Sequence, residues 1–253
     1  MACASTLPTP ATVPTNASSR NPAQPTPVVP PINPALEKPR THSGAWIFTY
    51  APGSYTYSIT TEATIAPIGD TTQKRQTPEI GQKTTITIAS SGDVQVTDPL
   101  AVTSGSCDSN AALTTRAQQL IPKLPNHLTV GDHWRDSTTT TGCRGMIPAE
   151  STVISNYTTL GDTTFVNTAF ANTTALQIQR IDSLSANGEG AEGQHRIHVT
   201  AKGTATTNLF FDVATGRFIG SHGLQTSLVN VTTSGRLTQF IQHVTESVMI
   251  TGL

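Results

Sequence analysis

Residues 194–250 read QHRIHVTAKGTATTNLFFDVATGRFIGSHGLQTSLVNVTTSGRLTQFIQHVTESVMI, and this stretch decides the fold. Apolar and polar side chains alternate along it, so that Ile197 and Val199 would lie on one face of a strand and His198 on the other. Such alternation is typical of a β-strand that is buried on one face. Turn residues at Thr215-Gly216 and Ser234-Gly235 interrupt the pattern. The stretch therefore predicts three long strands joined by tight turns: Gln194–Asp212, Arg217–Thr232 and Arg236–Ile250.

The same pattern extends towards the N-terminus. Alternating aromatic and β-branched residues predict strands from Trp46 onward and on both sides of a hairpin turn at residues 90–93. Gly161-Asp162 and the segment 186–190 carry turn chemistry, so we expect each to separate two strands. The central strands predicted in this way are His133–Thr141, Ser151–Leu160, Thr163–Ala171 and Thr174–Asp182.

One segment has helical rather than strand periodicity. Leu113, Ala117, Leu120 and Ile121 are spaced at i, i+4, i+7 and i+8, which predicts a helix over about Ala111–Ile121. Strands of ten or more residues reach roughly 35 Å at about 3.3 Å per residue, and a meander of such strands must twist and curl. The predicted fold is therefore mainly β: a long, curved, half-barrel-like antiparallel meander with one or two short helices.

Composition divides the chain into two parts. Residues 1–43 are rich in Pro, Thr, Ala and Ser and lack any apolar period, which predicts a disordered stalk; residues 44–253 are expected to form a single β-rich domain. Charged residues make up only 12% of the chain and the net charge is −1, so we expect no nucleic-acid partner. The absence of a run of about eighteen apolar residues predicts no membrane-spanning helix.

The three cysteines suggest an exported protein. Cys3 is followed at once by the Pro/Thr-rich stalk, a pattern typical of a processed bacterial lipoprotein, so Cys3 is the predicted lipidation site and a membrane the predicted partner. Cys107 and Cys143 are expected to form a disulfide in an oxidising compartment. The alternative is a zinc site with His127 and His133, but the close C-x2–4-C pairs of structural zinc sites are missing.

Two motifs carry a resemblance to a known family. The stretch Leu124–Trp134, with the pattern V-G-D-x-W at its end, and the downstream Phe211–Arg217, with the pattern F-D-x-x-T-G-R, resemble a family of uncharacterised bacterial envelope lipoproteins. The resemblance implies a periplasmic or cell-surface location and a long β-meander, and it implies no catalytic residue. A looser likeness to half-barrel lipoprotein carriers rests on fold alone.

No pattern in the sequence predicts an enzyme or a cofactor. The chain lacks the G-x-S-x-G, H-E-x-x-H, Walker and Rossmann motifs, and Ser221 and His222 are expected on opposite faces of a strand. His195 and His198 likewise fall on opposite faces of a predicted strand. Asp182 and the acidic residues near Glu189 are predicted to crowd one solvated hairpin loop, with weak Ca²⁺ binding as the alternative.

The function predicted from these observations is a tethered binding or carrier module. Its apolar concave sheet face would hold a hydrophobic ligand or dock a partner protein. The residues predicted to face that ligand are Ile197, Val199, Phe211, Phe240 and Val244. The alternative is a structural or assembly subunit of the envelope that takes no small ligand.

Overall fold

The protein is an antiparallel β structure, seen in a computed structural model that describes residues 45–69, 75–76, 80–96, 117–144, 147–167, 170–192 and 194–252. The mainly β fold expected from the sequence is confirmed. In chain order the strands are β1 (Trp46–Ile47), β2 (Gly53–Pro67), β3 (Arg75–Gln76), β4 (Ile80–Ile88), β5 (Val94–Val96), β6 (His127–Leu128), β7 (His133–Arg144), β8 (Ile147–Asn167), β9 (Phe170–Glu192), β10 (His195–Asp212), β11 (Phe218–Thr233) and β12 (Arg236–Gly252).

Ten of these strands form one curled, half-barrel-like sheet. Its order is β5-β4-β2-β12-β11-β10-β9-β8-β7, with β3 beside β2, and every pair is antiparallel. The six strands from β7 to β12 are neighbours in chain order, as a meander requires. Because β2 pairs with β12, the N-terminal strands extend the same sheet beyond the end of the meander.

The predicted turns at Thr215-Gly216, Ser234-Gly235 and residues 90–93 are confirmed. The turns predicted at Gly161-Asp162 and at residues 186–190 are wrong, because β8 and β9 run through both positions. Gly161 has a φ of 118° and lies at a register shift in β8, so its turn-like chemistry produces a β-bulge. Gly188 allows β8 to approach closely, since an added Cβ would lie 2.7 Å from the Pro148 carbonyl oxygen.

A second, two-stranded sheet packs against the inner face of the large sheet at one end. Trp46 and Ile47 in β1 pair with Leu128 and His127 in β6. The aromatic residues that alternate after β1 point into the core, where Phe48 packs edge-on against Tyr50 and Phe211 at centroid distances of 5.1 and 5.2 Å. This core cluster covers the inner face of the large sheet at that end.

The C-terminal part of the predicted helix packs into the same core cluster. Ala117–Leu120 form one helical turn, and Ala117, Leu120 and Ile121 are buried, as the predicted apolar stripe requires. Positions 111–116 lie outside the described residues. The Tyr50 hydroxyl fixes the chain after this turn, because it donates to the Pro122 carbonyl at 2.6 Å and accepts from the Leu124 N–H at 2.6 Å.

The polar residues of the V-G-D-x-W and F-D-x-x-T-G-R segments form turns. The Asp132 carboxylate accepts hydrogen bonds from the Thr129 N–H at 2.6 Å and the Thr129 hydroxyl at 2.7 Å. The Asp212 carboxylate likewise accepts from the Ala214 N–H at 2.8 Å and the Thr215 hydroxyl at 2.9 Å. Both aspartates therefore fix the backbone of the turns in which they lie.

Several predictions fall on residues that the structure does not describe. The stalk at 1–43, the lipidation site Cys3 and the cysteine at position 107 all lie outside the described residues. Cys143 lies in β7, where its backbone pairs with Pro148. The part of the chain that the structure describes contains no disulfide, and the Cys107–Cys143 bond stays a prediction.

Candidate functional site

The curl of the large sheet partly surrounds an open cavity of about 550 Å³. Every strand from β7 to β12 contributes to its wall, together with Thr61 of β2 and the helical turn at Gln118–Leu120. A volume of this size lies in the range that small-molecule sites occupy, roughly 300–1,000 Å³. The cavity is therefore the candidate site.

The strand register sorts the cavity wall into rows, because directly opposed residues in an antiparallel pair point to the same face. Two adjacent rows are mostly polar. The first row runs across the sheet through Asp136, Ser155, Asp182, Ala205, Gln225 and Val244. The second runs through Trp134, Tyr157, Arg180, Thr207, Gly223, Glu246 and Thr61.

An ion pair lies at the centre of these polar rows. The Arg180 Nε donates to Asp182 Oδ2 at 3.0 Å, with side-chain exposures of 13% and 8%. Asp182 Oδ1 accepts from the Ser155 hydroxyl at 2.7 Å, and Arg180 Nη1 donates to the Gln119 carbonyl. The pair thus joins the sheet to the helical turn, and each charge has polar partners, as a buried charge requires.

An aromatic pair lies beside the ion pair. Trp134 and Tyr157 stack with their ring centroids 5.0 Å apart and an interplanar angle of 5°. Tyr157 is directly opposite Arg180 and lines the cavity. Burial raises the pKa of the Tyr157 hydroxyl further above its ordinary value, so this part of the wall carries no charge.

The rows beyond the polar band become apolar only gradually. The next row along the strands is mixed, since Val153 and Leu184 share it with Thr138, Ser227 and Gln242. Further along, an apolar cluster separate from the main core consists of Ala186, Val199, Ala201 and Val229, with Ile147, Ile197, Val231 and Phe240 packed against it. The inner face is thus filled by core at one end, polar in the middle and apolar at the other end.

The five residues predicted to face a ligand do share this inner face, as the register of β10, β11 and β12 shows. Their surroundings differ. Val244 lines the cavity, whereas Val199 is buried in the apolar cluster, and Ile197 and Phe240 are half-buried against it. Phe211 is fully buried between Phe48 and Phe218, in the core below the polar rows.

The other candidate residues are not brought together. Ser221 is buried on the inner face while His222 hydrogen-bonds Ser247 at 2.9 Å on the outer face. The predicted acidic loop is wrong, because Asp182 and Glu189 lie on opposite faces of β9. Within the described ranges, no group of three or more His, Cys, Asp and Glu side chains is placed to hold a metal ion.

Arg180 and Glu246 were not predicted as residues of the site, and Asp182 was predicted only as part of a solvated acidic loop. Their signal was available, since Glu246 lies between Val244 and Val248 on the same face of β12. Arg180 and Asp182 are likewise flanked on the inner face of β9 by Ile178 and Leu184. A charge on the buried parity of a strand is uncommon without a partner. The hydrogen bond from Ser155 to Asp182 was not predictable, because Ser155 lies on another strand and the pairing register was unknown.

Comparison with known proteins adds no assignment. No helix in the described part of the chain has the length and hydropathy needed to cross a bilayer. No protein-family profile, curated protein or solved structure matches this chain.

Proposed function

We propose that the protein is a binding or carrier module that holds a ligand in the hollow of its curled sheet. The observation that supports this proposal is the cavity of about 550 Å³ in the middle of the inner face. A sheet that serves only as a scaffold is expected to fill this space with apolar side chains, because interiors are close-packed. Here the side chains that border the space are mixed, since Val153, Leu184 and Val244 line it together with many polar residues.

A pair of substitutions on β12 tests this proposal. Val244 faces the cavity, whereas Ile241 faces outward and is 39% exposed. Val244→Glu should weaken binding of the neutral fluorescent probe N-phenyl-1-naphthylamine by about tenfold or more, because it places a charge against an apolar ligand. Ile241→Glu is the matched control and should leave binding unchanged.

Thermal unfolding of both variants shows whether Val244→Glu still folds. Loss of probe binding in a folded Val244→Glu protein supports the proposal. Equal probe binding by the wild type and by a folded Val244→Glu protein contradicts it. If Val244→Glu unfolds, Val244→Thr, which keeps the side-chain shape and adds a hydroxyl, replaces it in the same titration.

The second candidate function is an assembly subunit of the envelope, and one observation favours it. Four large apolar side chains lie exposed on the outer face of the adjacent strands β11 and β12: Leu224, Leu228, Leu237 and Ile241. Exposed apolar patches on soluble proteins often mark contact surfaces. If Ile241→Glu abolishes self-association or partner binding in sedimentation experiments while probe binding is absent, the assembly function is supported instead.

We also propose that the module is exported and tethered to a bacterial membrane through a lipid on Cys3. The composition of residues 1–43 supports this, since Pro/Thr-rich segments are extended spacers. Mass spectrometry of protein isolated from the cell envelope tests the proposal. A diacylglyceryl group on the Cys3 sulfur is the expected result, and an unmodified thiol at Cys3 contradicts it.

A further inference from the structure

The large sheet has two edges of different kinds. One edge is staggered, since it ends in β5, which has 3 residues, and in β3 beside β2, which has 2. The other edge is β7, a strand of 12 residues with β8 on one side and, within the described part of the chain, no strand on the other. Short length, proline, lysine and bulges usually protect an edge strand. β7 has none of these features, so its free side can accept another strand.

The backbone of β7 is directed for such pairing. The Ser137 N–H donates to the neighbouring Asp136 carboxylate at 2.7 Å, which indicates that odd-numbered positions direct their N–H and C=O groups to the edge. These groups alternate in direction along a strand, so Thr139 and Thr141 direct theirs the same way. The Thr139 side chain lies on the outer face, where its hydroxyl is hydrogen-bonded to the Thr152 hydroxyl at 3.1 Å. The centre of β7 therefore presents a regular row of backbone donors and acceptors.

The charges of β7 select a second copy of the same strand as its partner. Asp136 lies near one end of the strand and Arg144 at the other, with the uncharged stretch 137–143 between them. In an antiparallel pair related by a two-fold axis through Thr140, Asp136 of each copy is opposite Arg144 of the other. Opposite charges at such cross-strand positions stabilise the pair. An axis shifted by one residue in either direction separates these charges.

We propose that the protein forms a two-fold symmetric dimer in which the β7 strands of two copies pair antiparallel, centred on Thr140. Opposed residues in this register are an even number of positions apart, so the inner faces of both sheets lie on the same side. Asp136, Thr138 and Thr140 line the cavity at its β7 side. The second copy therefore adds its Arg144 at that side of the cavity. The interface is independent of the ligand-binding function and of the exposed strip on β11 and β12.

Sedimentation equilibrium of the full chain tests the interface. The Cys3→Ser form is used, so that a disulfide between N-terminal thiols cannot link two chains. We expect a dimer at about 100 μM that dissociates on dilution, because a pair of edge strands buries a small area and small interfaces are weak. A protein that remains monomeric at this concentration refutes the proposal.

Exchange of the two charges tests the register. Asp136→Arg places like charges opposite each other at both ends of the pair and should weaken the dimer about tenfold or more. The double variant Asp136→Arg/Arg144→Asp should restore the wild-type dissociation constant. Glu62→Arg is the matched control and should leave the dimer unchanged, because Glu62 is exposed on the outer face of β2, opposite Thr245. If circular dichroism shows that Asp136→Arg is unfolded, Arg144→Asp replaces it, since it also creates like-charge contacts.

Two further variants test which surface forms the dimer. Thr139→Pro removes an N–H from the free side of β7 and should abolish the dimer, while β7 keeps its pairing with β8. Ile241→Glu, on the exposed outer face, should leave the dimer intact. If Thr139→Pro dimerises as strongly as the wild type, or Ile241→Glu dissociates the dimer, the interface lies elsewhere and the proposal is refuted. A double charge variant that stays monomeric refutes the register centred on Thr140.

Discussion

Replacing Gly203 by alanine tests whether the curl of the sheet depends on close contact between β10 and β11. Gly203 lies on the inner face, opposite Ser227. An added Cβ would lie 2.5 Å from the Thr226 carbonyl oxygen and would also overlap the Ser227 hydroxyl. A normal C···O contact is about 3.3 Å, so the two strands must separate by roughly 0.8 Å. Backbone atoms must move, because rotation of a side chain cannot relieve the clash with a carbonyl oxygen.

The expected change in the free energy of unfolding is the sum of two opposing effects. Overpacking of this kind costs about 1–3 kcal/mol, and the lower entropy of an unfolded chain with alanine returns about 0.4–1 kcal/mol. We expect a net destabilisation of about 2 kcal/mol. With a urea m-value of about 2 kcal/mol/M, the unfolding midpoint should fall by about 1 M. Fluorescence of Trp46 and Trp134 reports the transition, since both side chains contact the core.

Gly142→Ala is the matched control. Gly142 lies in β7, opposite Ala149, and an added Cβ would meet no atom within 4 Å. The same substitution should therefore leave stability unchanged or raise it by about 0.4–1 kcal/mol. A Gly203→Ala protein that unfolds at the same urea concentration as Gly142→Ala would show that β10 and β11 have room to separate, and would refute the argument.

Three further predictions concern single residues. Tyr50→Phe should lower the free energy of unfolding by about 1–3 kcal/mol in urea titrations, because it leaves a buried N–H and a buried carbonyl unpaired. Hydrogen bonds from the Thr129 hydroxyl and N–H lower the pKa of Asp132, so its stabilising effect is complete above the ordinary carboxyl pKa of about 3.9 and is lost as pH falls through the lowered value. Asp132→Asn should accordingly lower the melting temperature at neutral pH, with the difference from wild type disappearing once the pH is below the lowered pKa of Asp132. Thiol titration of denatured, unreduced protein should find neither Cys107 nor Cys143 free, and two free thiols would contradict the predicted disulfide.

The C-terminal strands were predictable from sequence because the alternation of apolar residues and the positions of the turn residues indicate the same strands. Alternation places Val199 and Phe240 on the buried parity, and the turn residues at Ser234-Gly235 adopt positive φ values of 49° and 82°. Gly161 and Gly188 were misassigned as turns because glycine gives the same local signal for a turn, a bulge and a close strand contact. Only the partner strand distinguishes these cases, and one sequence does not contain the pairing register.

The site was predictable only in part, for a related physical reason. The face of β12 on which Val244 lies follows from the alternation of apolar and polar residues along that strand, so its position on the inner face could be inferred from the sequence. The polar rows depend on the register between strands. Asp136, Arg180 and Glu246 come from β7, β9 and β12, and they line one cavity only when those strands are aligned. The depth at which the inner face changes from core to cavity depends on where β1 and β6 dock, which no alternation pattern specifies.

The polar rows also bear on the choice between a carrier and an assembly subunit. Burying an ion pair such as Arg180–Asp182 commonly stabilises a protein less than apolar residues of similar volume would. A subunit that used only its outer face would gain stability from an apolar interior at this depth. A carrier, in contrast, needs an inner face that its own side chains leave partly unfilled, as the cavity of about 550 Å³ is. We therefore prefer the proposed carrier function to that of an assembly subunit, and under it the exposed strip around Leu224 and Ile241 remains available to a partner.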